Sequence, residues 1–292
     1  MYHLIVGYNC PWCHRVSTAR SVLGLRDTVT LDVCFPSRTD IPDEQGRTGL
    51  WQYAPEGHQC LNGRFTTFPE CTPDTVGGGV KTAVQIYDVA GVAQKSVPIL
   101  FDKKTNTIVS NESADIVRML SNHAKALGST MPSPPDLYPP FLRAGIDETN
   151  EWVYHSINNG AYRAGFASTQ DAYETAYHIY FAAIDRLEAL LAGQRFLCGD
   201  VVTEADVRLF PTMFRHDPVY LSRFKLNRNT LRESPNIWRW LRTMCREVPG
   251  VREEASPSIL LQCKQGYFGR TGNNTIPIGP MGYPECYYND QG

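Results

Sequence analysis

The most constraining stretch of this chain is a short apolar run, Tyr2-His3-Leu4-Ile5-Val6-Gly7, followed two residues later by Cys10-Pro11-Trp12-Cys13-His14. The run reads as a buried strand. Pro11 suits the first turn of a helix, where its missing N–H costs nothing, and Trp12, Val16, Ala19 and Leu23 recur at helical spacing. A helix N-terminus offers unpaired N–H groups and a positive partial charge. Both favour thiolate over thiol, which predicts a Cys10 more acidic than an ordinary cysteine. Cys13 lies about one turn further on the same face, so the pair reads as a thiol–disulfide site. Three other readings share these residues. The cysteines can be buried and structural. Cys10-x-x-Cys13-His14 also spells a c-type haem attachment, which needs export to an oxidising compartment. Zinc needs a second matched pair, and Cys60 and Cys71 are eleven apart.

The elements that follow fit around this junction. Residues 29–35 alternate Val29, Leu31, Val33 and Phe35 against polar positions, which predicts a second strand. Residues 36–80 are rich in Pro, Gly, Thr and Asp, end in Gly77-Gly78-Gly79, and predict a long functional loop. A helix is expected over 81–90, a hairpin over 96–102 and 107–109, and a helix over 113–120. The Pro- and Ser-rich segment 123–139 reads as a linker. Beyond it helices are expected at roughly 140–158, 170–192, 204–216 and 234–247, before an irregular tail. The domains are therefore 1–122, an α/β thioredoxin-like unit, and 140–292, an all-α unit.

Composition narrows the function classes. The 292 residues suggest about two domains. Lys plus Arg number 28 against 30 Asp plus Glu, which is no nucleic-acid-binding balance. No apolar run reaches the roughly 18 residues of a membrane helix, and the N-terminus lacks a basic signal-peptide region. Nine scattered cysteines, an odd count, fit a reducing, cytoplasmic setting better than a disulfide scaffold.

Four further segments carry candidate chemistry. Val97-Pro98 opens a strand; a cis proline there would leave the Val97 backbone able to pair with an extended, peptide-like ligand, and an ordinary edge-strand proline is the alternative. Ser113 is either a plain N-cap or, with the helix N–H groups, a carboxylate site beside an ammonium-binding Glu112. Thr203-Glu204-Ala205-Asp206 reads as a capping box and a folding feature. Asn158-Asn159-Gly160-Ala161-Tyr162-Arg163-Ala164-Gly165-Phe166 is either a helix-ending turn or a place for a tyrosine hydrogen-bond donor. Gly266-Tyr267-Phe268-Gly269-Arg270 has no readable role by itself.

Taken together these strings resemble the glutathionyl-hydroquinone reductases, or Xi-class glutathione transferases. The similar strings are Cys10-Pro11-Trp12, Val97-Pro98-Ile99-Leu100, Ile108-Val109-Ser110-Asn111-Glu112-Ser113, the Asn158–Phe166 segment, Phe214-Arg215-His216-Asp217-Pro218-Val219-Tyr220 and Ile276-Pro277-Ile278-Gly279-Pro280. The resemblance implies the glutathione transferase fold, glutathione as co-substrate, no metal and a homodimer. It implies Cys10 as nucleophile, Trp51 packing on glutathione, Val97 and Pro98 as the backbone clamp, and Glu112 with Ser113 as the γ-glutamyl site. Tyr162 and Tyr267, with Arg270, would line an aromatic acceptor pocket. The implied reaction removes glutathione from a glutathionyl-hydroquinone through a Cys10–glutathione mixed disulfide. The alternative is an omega-like transferase acting as a thiol transferase or dehydroascorbate reductase. Four departures stand out: Cys13 where most members have Ala, a start close to the first strand, a shortened stretch from Gly91 to Ser96, and Phe268 where a second Tyr is common.

Overall fold

The computed structural model describes residues 1–39, 42–53, 68, 71, 80–269 and 275–289. Cys60, the glycine run 77–79 and Arg270 lie outside the described residues. Two compact units emerge, one formed by 1–134 with 258–277 and the other by 135–257 with 278–292.

The first unit is built on a four-stranded sheet ordered β2-β1-β3-β4. Strand β1 (Tyr2–Val6) sits inside it because Leu4, Ile5 and Val6 are apolar and fully buried. Helix α1 (Pro11–Val22) is the crossover to β2 (Thr30–Val33), which pairs parallel with β1. Almost every residue of α1 is buried, polar ones included, so each polar group needs a partner. Ser17 and Thr18 donate to the His14 carbonyl at 3.1 and 2.6 Å, and Arg20 donates to the Val29 carbonyl at 2.5 Å. Gly24, at φ 66°, ends the helix in the left-handed conformation that glycine adopts without strain.

Helix α2 (Ala83–Val89) opens on a Thr82/Gln85 capping box. Strand β3 (Ile99–Asp102) pairs antiparallel with β1 and with β4 (Thr107–Ser110). Helix α3 (Ser113–Asn122) then packs beside α1, with Ile116, Val117 and Leu120 buried. The predicted strands and helices are thus present, each one to three residues shorter or longer at its ends.

The segment expected as a linker is tied down over its first half. Ser129 Oγ donates to the Leu23 carbonyl at 2.6 Å and the Thr130 N–H to that of Gly24 at 2.9 Å. The boundary falls between Pro134 and Pro135. The expected single C-terminal domain over 140–292 needs correction. Helix α11 (Pro257–Phe268), in the tail expected to be irregular, groups with the first unit.

The second unit contains α4 (Arg143–Val153), α5 (Asn159–Gly165), α6 (Gln170–Ala192), α7 (Glu204–Arg215), α8 (Leu221–Arg223), α9 (Pro235–Glu247) and α10 (Val251–Glu254). A π-helical turn, Tyr154–Asn158, joins α4 to α5, so the Asn158–Phe166 segment continues the helix instead of breaking it. The Thr203/Asp206 capping box is present. Asp206 Oδ1 also accepts from the Leu197 N–H and from Trp240 Nε1, both at 2.9 Å, which confirms a folding role. The end of the chain returns here: Tyr283 OH donates to Asp217, and Tyr287 OH to the Phe214 carbonyl at 3.3 Å. Among the described residues no helix is long and apolar enough to cross a membrane.

Candidate functional site

Cys10 is the N-cap of α1, with extended backbone angles (φ −97°, ψ 120°) and Pro11 next at the first helical position. The turn that delivers it is closed by its own N–H, which donates to the Gly7 carbonyl at 2.8 Å. Gly7 is glycine for a packing reason: a Cβ there would fall 2.6 Å from the Trp51 ring. The Cys10 thiol points at the Val97 carbonyl, with its sulfur 4.0 Å from the oxygen, and Cys10 is 9% exposed.

Val97 is placed by groups that the sequence did not reveal. The Tyr87 hydroxyl donates to the Ser96 carbonyl at 2.9 Å, and Asn111 Nδ2 donates to Ser96 Oγ at 3.2 Å. Burial pushes the Tyr87 hydroxyl pKa up, so it stays protonated and able to donate. The Val97–Pro98 bond is cis, as expected. Asn111 leads directly into Glu112, so one hydrogen bond joins the clamp loop to the start of α3.

There the structure changes one expectation. The N-cap is Glu112, not Ser113: Glu112 Oε1 accepts from the Ala114 N–H at 3.1 Å, and also from Ser113 Oγ at 3.3 Å. Glu112 is exposed and Ser113 buried. Its carboxylate is open to solvent as well as to its own helix.

Trp51 lies beside the Cys10 turn but is 4% exposed. Its ring packs on Gly7, and the Arg38 guanidinium stacks over it with its carbon 4.0 Å from the ring centre. A β-bridge between Arg38 and Trp51 fixes that stacking. The more accessible group of this pair is therefore the half-buried arginine, a residue the sequence did not single out.

Tyr267 rides on α11 in the same unit as Cys10. That helix is anchored next to the Cys10 turn: the Cys263 thiol donates to the Tyr8 carbonyl at 3.2 Å. Gly266 packs so closely on Asn9 that a Cβ would come within 2.3 Å of the Asn9 Cβ. The sequence, read as irregular here, carried no signal of this contact. Tyr162 belongs to the other unit, in a cluster with Phe166, Tyr220 and Phe224 at ring-centre distances of 5.8, 6.2 and 5.2 Å. The first unit thus brings together Cys10, Cys13, Trp51, Val97, Pro98, Glu112, Ser113 and Tyr267, and Tyr162 stands in the second.

The first unit thus sets a thiol at a helix start, facing a cis-proline loop. The N-terminal domain model of the glutathione S-transferases matches residues 9–123, and the C-terminal domain model matches 170–243. The glutathionyl-hydroquinone reductase YqjG of Escherichia coli (strain K12) is 38% identical over 286 residues, covering 96% of this chain and 79% of its own. PcpF of Sphingobium chlorophenolicum, named a glutathionyl-hydroquinone reductase, is 34% identical over 96% of this chain and 82% of its own. The chain belongs to the glutathionyl-hydroquinone reductase family, the Xi class of glutathione transferases.

Solved structures agree. The glutathione-bound structure of YqjG superposes with a TM-score of 0.81 at 36% identity, over 96% of this chain and 84% of that one. The Xi transferase of Phanerochaete chrysosporium gives 0.79 at 37%, over 96% and 90%. Cys13 is the third residue of α1. It is fully buried, and its thiol pKa is pushed well up, first by burial and then by a hydrogen bond to Cys10 and the Cys10 charge.

Proposed function

We propose that this chain is a glutathione-dependent reductase that removes glutathione from glutathionyl-hydroquinones. The observation that carries the reading is the Cys10 sulfur at a helix start, 4.0 Å from the backbone of the cis-proline loop. A glutathione cysteine paired along Val97 would set its sulfur beside that of Cys10. The Val97 N–H makes no hydrogen bond among the described residues and can donate to such a ligand. Glu112, exposed at the head of α3, suits the ammonium of the γ-glutamyl group, and the Ser113 hydroxyl with the helix N–H groups suits its carboxylate.

In the reaction the Cys10 thiolate attacks the glutathione sulfur of the conjugate. The carbon–sulfur bond breaks, the ring carbon takes a proton, and hydroquinone leaves. A second glutathione attacks the mixed disulfide, releases glutathione disulfide and restores the thiolate. Carbon is a tolerable leaving group only where the ring reaches a keto tautomer, and a Tyr267 hydroxyl would assist by donating to that oxygen. The Arg38 guanidinium, outermost on Trp51, adds a cation for an anionic end of glutathione. We place the enzyme in the cytoplasm as a homodimer.

The test is the menadiol–glutathione conjugate, the hydroquinone form, with excess glutathione. Menadiol and glutathione disulfide should form in equal amounts. No turnover of the conjugate, alongside rapid reduction of hydroxyethyl disulfide or dehydroascorbate, would assign the chain to the omega-like reading instead.

A further inference from the structure

Cys10 and Cys13 occupy the N-cap and third position of α1, and neither is disulfide-bonded. At that spacing both side chains lie on one helix face. Cys10 is 9% exposed and Cys13 is 0%. A thiol or disulfide arriving from solvent therefore meets Cys10, and Cys13 can exchange only with a sulfur already bound there. With Cys10 at the N-cap and Cys13 three residues on, the Cys13 sulfur lies in the same first turn as that of Cys10.

We propose that Cys13 is a second catalytic thiol, which displaces glutathione from the Cys10 mixed disulfide when free glutathione is scarce and gives the chain a dithiol disulfide-reductase activity. The proposal rests on the mixed-disulfide reading above. The Cys13 thiol loses its proton and its sulfur attacks the Cys10 sulfur. The bond from Cys10 to glutathione breaks and the Cys10–Cys13 bond forms. Glutathione leaves as a thiolate and takes up the proton. The two protein sulfurs end oxidised as a disulfide, and glutathione ends reduced. Two further glutathione molecules restore both thiols and depart as glutathione disulfide.

The local electrostatics time this step. At rest the Cys13 thiol is kept protonated by burial, by its hydrogen bond to Cys10, by the charge on Cys10 and by nearby Cys34. Once Cys10 carries glutathione its charge is gone and both Cys10 contributions lapse. A backbone hydrogen bond from Gly7, which favours the Cys13 thiolate, remains. Cys13 becomes more acidic, and so more reactive, after the first half-reaction.

The experiment mixes the reduced full-length chain, freed of glutathione, with equimolar glutathione disulfide. This probe loads Cys10 whether or not a quinone conjugate is a substrate. Wild type should release roughly twofold more glutathione than Cys13→Ala, about two per chain against one. Its intact mass should fall by two hydrogens, and digestion should yield a Cys10–Cys13-linked peptide. Cys13→Ala, or Cys13→Ser should alanine fail to fold, should retain one glutathionyl group. A wild-type chain that keeps the glutathionyl adduct, with Cys13 alkylated after unfolding, overturns the proposal. Repeating the experiment with the menadiol conjugate separates the two readings. An internal disulfide from glutathione disulfide but none from the conjugate supports the Cys13 role and refutes the quinone reading.

Discussion

Gly266→Ala tests how the tail and the Cys10 turn are joined. The new Cβ would sit 2.3 Å from the Asn9 Cβ, 2.5 Å from Nδ2 and 2.7 Å from Cγ. The first of these atoms is fixed to the backbone and cannot swing away. Overpacking of this kind costs roughly 1–3 kcal/mol. Exchanging glycine for alanine in a helix returns up to about 1 kcal/mol. The backbone-fixed contact places the cost at the upper end, leaving a net loss of about 2 kcal/mol, or roughly 4–8 °C in melting temperature. Asn9 adjoins Cys10 and Gly266 adjoins Tyr267, so relief of the clash must move Cys10 or Tyr267. Conjugate reduction should fall on the order of tenfold. Asn9→Gly removes the opposing Cβ, and the double variant should recover most of the lost melting temperature, a coupling that a double-mutant cycle reads directly. A single variant that melts and turns over like wild type, or a double variant no better than the single, would refute the packing argument.

Cys10→Ser keeps size and removes the acidic thiol; reductase activity should drop to background while the melting temperature and glutathione binding hold, and a rate above a tenth of wild type would place the nucleophile elsewhere. Glu112→Gln keeps an oxygen for the Ala114 N–H, so α3 should stay folded while glutathione affinity weakens roughly two- to tenfold, the modest size reflecting an exposed carboxylate; an unchanged calorimetric titration would remove Glu112 from the site. Burial lowers the His216 pKa, and its ring is held neutral between the Tyr180 hydroxyl at 2.7 Å and the Asn229 carbonyl at 3.4 Å. The depressed pKa means that the unfolded chain binds the proton first, so this contribution is complete above about pH 6.5 and is lost as pH falls through the lower folded value. His216→Gln should flatten the loss of melting temperature on acidification just below about pH 6.5, and an unaltered slope would show that other groups set it.

Much of the first unit could be read along the chain because its signals are local. Pro11 after Cys10 marks a helix start, alternation marks β2, and the strings around Val97 and Glu112 place a clamp and a cap at element boundaries. These depend on spacing and on backbone groups a few residues apart, which sequence displays directly. The family followed from the same strings. Tertiary structure alone decided the rest. It moved the cap from Ser113 to Glu112, because that choice turns on which backbone first departs from extended angles. It buried Trp51 beneath Arg38, through a bridge between residues thirteen apart across an irregular loop. It folded α11 back against the first unit, where Gly266 meets Asn9 across more than 250 residues of chain. The tail was read as irregular, and the partner of Gly266 is set by packing of the whole unit, which no local pattern encodes.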